Sequence, residues 1–153
     1  MKKIKYIVSI LVIAILASCE TYDDYNADRP TIVRFSDIIQ PDPPVNPPHN
    51  ANLFFKDGVI TMSRELGVFV SNVSDTDRTF NVTFDAALTE VNPENFTFDA
   101  TVTIPANQRR GSFTFTGNDI SLTSTFQKVV LVFVDDASYI NEVSFTFNMK
   151  STN

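Results

Sequence analysis

Strict alternation of apolar and polar side chains is the feature that most limits what this chain can form. Val143, Phe145 and Phe147 point one way and Ser144, Thr146 and Asn148 the other. A period of two gives one buried and one wet face only in an extended strand. The same pattern recurs in Phe113/Phe115 against Ser112/Thr114/Thr116, and in Phe80/Val82/Phe84 against Thr79/Asn81/Thr83. No window sustains apolar spacing at i, i+3, i+4 and i+7, and the chain is rich in Phe, Val and Thr with only 4 Gly. Both facts favour strands almost throughout. Val129–Val134 is apolar on both faces, as expected of a central strand covered on both sides, and Asp135-Asp136 ends it. Further strands are expected at Thr31–Ser36, Val59–Met62, Leu66–Val70, Phe96–Phe98 and Thr101–Ile104. About seven or eight short strands with turn residues between them predict an all-β antiparallel sandwich.

Residues 39–50 break this pattern. Pro41, Pro43, Pro44, Pro47 and Pro48 remove backbone donors and hold the chain near polyproline II. The stretch reads as a semi-rigid surface connection inside a domain spanning 31–153. In the competing division, the domain starts near Ala51 and everything before it is tether. A ligand for a proline-recognising module is a third reading.

The first eighteen residues have another job. Lys2, Lys3 and Lys5 precede an apolar run from Ile7 to Ala17, broken only by Ser9. This is the layout of a secretory signal, and the run is too short to span a bilayer. Leu16-Ala17-Ser18-Cys19 resembles the lipobox of bacterial lipoproteins. The resemblance implies cleavage before Cys19 and acylation of that cysteine, with palmitate-type chains as the membrane anchor. Several acyl chains make such an attachment effectively permanent. Glu20, Asp23 and Asp24 open an acidic tether over 19–30, similar to the export signal of Bacteroidota-type lipoproteins placed on the outer face of the outer membrane. A plain solvated spacer would look much the same.

Cys19 is the only cysteine, so no disulfide can form within the chain and the domain is held by its core alone. The formal charge is −6. Removing the three signal lysines leaves 9 basic residues against 18 acidic ones, a charge of −9. That balance repels phosphate backbones and sets nucleic acid aside as a partner.

Pro93-Glu94-Asn95-Phe96-Thr97-Phe98, Val102–Gln108, Gly111–Phe115 and Val129–Val134 together resemble the Calx-beta domain and related immunoglobulin-like modules of surface lipoproteins. The resemblance implies an immunoglobulin-like sandwich. It places a turn at Pro105-Ala106-Asn107, where Asn tolerates the left-handed conformation. Calcium-binding members carry acidic loops, but Ser124–Lys128 holds no carboxylate where theirs is rich in Glu. Asp99, Asp119, Asp135, Asp136 and Glu142 are the remaining oxygen donors, without the dense spacing a calcium loop needs, and read as turn and edge residues. No metal or cofactor is expected.

Chemistry is sparse. His49 is the only histidine and sits in the proline-rich connection, which leaves no Ser-His-Asp, Cys-His or zinc arrangement. Glu90/Glu94 and Asp135/Asp136 are carboxylate pairs in principle, yet adjacent or loop-tip acids are commoner as turn formers. A non-enzymatic protein is expected. Glycan binding calls for aromatic faces, but Trp is absent and Tyr139 is the only tyrosine within the domain. A loop cluster of Tyr139, Asp135, Asp136 and Asn141 is therefore the expected binding place. Gln108-Arg109-Arg110 is the one basic point and is expected at a hairpin tip. The leading expectation is a lipid-anchored surface module that binds a protein partner in the outer membrane, as an accessory of nutrient uptake. Glycan binding and a structural or adhesive role are the alternatives.

Overall fold

The computed structural model describes residues 30–36, 49–141 and 143–153. Leu16, Ala17, Ser18, Cys19, most of the acidic tether, the prolines of the connection and Glu142 lie outside the described residues.

Among the described residues ten strands follow in chain order: β1 (Thr31–Ser36), β2 (Asn50–Phe55), β3 (Thr61–Val70), β4 (Arg78–Phe84), β5 (Phe96–Phe98), β6 (Thr101–Ile104), β7 (Arg110–Asn118), β8 (Gln127–Phe133), β9 (Tyr139–Asn141) and β10 (Phe145–Ser151). They form two five-stranded sheets, β5-β7-β3-β1-β9 and β2-β10-β8-β4-β6. A 3-10 turn, Pro93–Asn95, leads into β5. The architecture is all-β and sandwich-like.

Alternation turns directly into burial. Phe145, Phe147 and Met149 of β10 are buried, as are Phe113 and Phe115 of β7 and Phe80 and Val82 of β4. Aromatic rings carry the contact between the sheets. Phe35 stacks on Phe133 at 4.3 Å between ring centroids, and Phe115 on Phe147 at 3.9 Å. Each fully buried ring contributes about 1.5–3 kcal/mol of hydrophobic stabilisation. Val33 and Phe35 are fully buried, so residues 31–36 belong to the sandwich and it does not begin at Ala51.

Several expectations need correction. Val59–Met62 and Leu66–Val70 are not two strands. The first begins only at Thr61, with Val59 and Ile60 exposed before it, and runs on through Ser63-Arg64-Glu65 into the second because β7 pairs with the whole length. Strand β2 has no counterpart among the expected strands, and it takes Asn50 out of the proline-rich connection. The sheets are not wholly antiparallel, since β2 runs parallel to β10 and β9 parallel to β1. Strand β8 is central, but its outer face is covered only at its start. Val130 is buried where the Asp85–Val91 loop bonds to the strand, while Val132 is half-buried and Val134 exposed.

The expected turn at Pro105-Ala106-Asn107 is present, with Asn107 at φ 60°. Beside it, an added Cβ on Gly111 would lie 2.5 Å from the Thr103 carbonyl oxygen, so only glycine fits where β7 leaves the turn.

Candidate functional site

One end of the sandwich gathers the β3–β4 loop, the β6–β7 turn, the segment after β8 and the entry into β1. Short polar contacts fasten them. Asn107 N donates to Ser74 O at 2.7 Å and Ala106 N to Asp77 Oδ1 at 2.8 Å. Asn72 is the hub. Its Oδ1 accepts from Arg78 Nη1 at 2.7 Å, its carbonyl from Arg78 Nη2 at 2.8 Å, and its Nδ2 donates to Thr31 Oγ1 at 3.0 Å. Burial lowers the Arg78 pKa from its ordinary value, and Arg78 Nε is buried without a partner among the described residues.

Between these loops and β9 lies a cleft of about 280 Å³, with Arg78, Phe80 and Asn81 of β4 on one side, Asp136, Ser138 and Tyr139 on the other, and Thr31 closing it. Tyr139 stands edge-on to Phe80 at 5.2 Å, and its hydroxyl donates to the Val134 carbonyl. Burial, and then the nearby charges of Asp136 and Asp135, raise its pKa above the ordinary 10.0. Asp136 is held below the usual carboxylate range by the Ser138 hydroxyl and by Ser138 N, which donates to its Oδ1 at 2.8 Å. The cleft thus offers an aromatic edge, a cation, a carboxylate and hydroxyls, a set suited to orienting a small polar ligand.

Of the four expected binding residues, Asp136 and Tyr139 line the cleft. Asp135 acts on it only through charge. Asn141 turns away, its Nδ2 donating to Phe133 O at 3.2 Å and its Oδ1 buried without a partner among the described residues. Arg78, Phe80, Asn81 and Thr31 come from distant parts of the chain, and no local motif marks them.

The other candidate residues are dispersed. Asp99 accepts from Thr114 N, and Asp119 from Ser151 Oγ and Asn153 Nδ2. Among the described residues, no three His, Cys, Asp or Glu side chains gather as a metal site would need. Glu94 accepts from Ser121 Oγ, while Glu90 pairs with Lys128 at 3.6 Å. His49 precedes β2, and its carbonyl accepts from Thr146 N. Arg109 is not free at a hairpin tip, since Nη1 donates to Ser71 O at 2.8 Å, and Arg110 is already in β7.

No family model matches the chain, and no curated protein does. Solved structures do resemble it. A candidate carbohydrate-binding protein from Bacteroides ovatus aligns with a TM-score of 0.56 at 7% identity over 76% of this chain and 36% of its own. A two-domain protein of unknown function from Bacteroides fragilis gives 0.59 at 11% identity, over 80% of this chain and 46% of its own. EndoBT-3987 of Bacteroides thetaiotamicron, crystallised with a Man5GlcNAc product, gives 0.56 at 13%, over 67% of this chain and 28% of its own. This chain spans less than half the length of each. At these identities the likeness is one of fold.

Proposed function

We propose that this chain is a non-enzymatic, surface-exposed lipoprotein, anchored through acylated Cys19 after removal of residues 1–18. Its immunoglobulin-like, Calx-beta-like sandwich serves as a binding module accessory to outer-membrane nutrient uptake, and its ligand is a glycan. The cleft at the loop end carries this reading, because Tyr139, Arg78, Asp136 and Ser138 form the mix of ring edge and polar groups that orients sugar hydroxyls. The strand order supports the immunoglobulin-like assignment. The first extended region changes sheets, pairing antiparallel with β3 as β1 and parallel with the last strand as β2. Fold neighbours from Bacteroides support the setting.

Titration against a panel of soluble neutral polysaccharides is expected to give saturable binding to at least one, weakened about tenfold by Tyr139→Ala, as loss of ~1.4 kcal/mol of contact would produce. A flat panel ends the glycan reading. Protease added to intact cells is expected to cut the protein, and an uncut protein would place it on the periplasmic side instead.

A second reading, a protein partner, rests on β9. It is an edge strand whose Ile140 is 49% exposed, a template for pairing with another chain. A detergent pull-down from the envelope that recovers a transporter with the wild type but not with Ile140→Lys would favour it.

A further inference from the structure

The outer face of the first sheet carries a second polar feature, well apart from the cleft in composition. Arg34 of β1 lies directly opposite Phe69 of β3, and Phe69 directly opposite Arg110 of β7. The three side chains form a row across adjacent strands. Both guanidinium groups sit over the one ring, at 5.0 Å and 5.7 Å from its centroid. Neither makes an ion pair with a carboxylate of the described residues, where the ion pairs are Lys56–Asp57 and Lys128–Glu90. Two like charges two strands apart, roughly 10 Å by strand spacing, repel each other. Among the described residues neither guanidinium group has a carboxylate within ion-pair distance, and two forked donors side by side suit an anion.

The next row down is Ser36, Gly67 and Ser112, in register across the same three strands. Gly67 offers no side chain, and this leaves a basin of about 260 Å³ in an otherwise pleated face. Arg110 walls one end. Glu65 walls the other, its Oε1 accepting from the Ser112 hydroxyl. The basin therefore runs from Arg110, whose row also holds Arg34 on the far side of Phe69, across serine hydroxyls, to a carboxylate acceptor. A simple inorganic anion uses only the first part. A sugar ring bearing one anionic group uses all of it, with the anion on the guanidinium fork and ring hydroxyls donating to Glu65 and exchanging bonds with Ser36 and Ser112.

We propose that this basin is a second ligand site, which takes an acidic saccharide through a carboxylate or sulfate ester held by Arg34 and Arg110. It does not depend on the cleft. Affinity electrophoresis of the full chain in polygalacturonate, chondroitin sulfate and dextran tests it and separates the two anion sources. Retardation is expected in one or both acidic polymers, but not in dextran, and is expected to weaken as salt rises. Arg34→Gln/Arg110→Gln should reduce binding tenfold or more. Gly67→Val, which fills the floor with a side chain suited to a strand, should do the same while leaving both cations in place. Tyr139→Ala should bind the acidic polymers as the wild type does, which separates failure of this site from failure of the cleft. The proposal is overturned if the wild type ignores both acidic polymers, or if both variants bind like the wild type while melting as it does. Binding that emerges only once Glu20, Asp23 and Asp24 are replaced by amides would overturn it too, by assigning the row to the chain's own acidic stretch.

Discussion

Asn95 shows how much one side chain decides in a domain without disulfides. It is buried to 1% exposure, and its Oδ1 accepts from the backbone N–H groups of Ile120 and Ser121, while its Nδ2 donates to Ser121 Oγ and Asn92 O. Asn95→Ala would leave two backbone donors unmatched, and a loss of about 2–6 kcal/mol is expected in urea unfolding, at 1–3 kcal/mol per orphaned group. The sequence around Asn95 gives no hint of this, because the partners lie 25 and 26 residues away. Tyr139 allows a test by pH. Its folded pKa is raised, so the stability it adds is full below its unfolded value near 10.0 and is lost as pH climbs through the folded one. Wild type is therefore expected to lose thermal stability above pH 10 more steeply than Tyr139→Phe, which cannot ionise. Equal slopes would show that the hydroxyl's contact with Val134 carries little.

At the level of elements, strands were legible where a single face is buried. Strands β4, β7 and β10 alternate cleanly because each packs one side on the other sheet. Strand β2 was not legible, since Leu53-Phe54-Phe55 reads as an apolar clump behind prolines. Phe54 in fact faces outward with Lys150 Nζ 4.5 Å over its ring, leaving Leu53 and Phe55 for the core. Strand β3 looked like two because polar Ser63-Arg64-Glu65 sits in its middle, and only long-range pairing with β7 reveals its continuity. Half of the cleft was legible for the same reason. Asp136 and Tyr139 are neighbours in sequence, whereas Arg78 and Thr31 join them only through strand pairing. The first strand makes the sharpest element-scale test. Phe35→Ala empties a site stacked on Phe133 and is expected to destabilise by about 3–5 kcal/mol. Deleting residues 30–36 should abolish the cooperative transition, seen as loss of a sigmoidal melt by circular dichroism.

Across the whole molecule, the two sheets are joined by rings, and the loops at one end are joined by hydrogen bonds. The end that carries the cleft is therefore pinned by a polar network of its own. Asn107 at the turn tip and Asn72 at the hub tie three loops whose sequences differ in every other respect. Asn72→Ala is expected to raise amide hydrogen exchange through residues 71–77 and at Thr31, while exchange in β8 and β10 stays as it was. Uniform protection throughout would mean that the loops hold each other without that side chain.

Thr31, which closes the cleft, is also the first residue of the first strand. On the anchoring proposed above, through acylated Cys19, residues 20–30 would separate the lipid from that point, a reach of at most roughly 40 Å when fully drawn out. The mouth of the cleft would then hang from its own leash, close above the bilayer. Such a geometry suits material being handed between neighbours on the membrane better than material captured from the open medium.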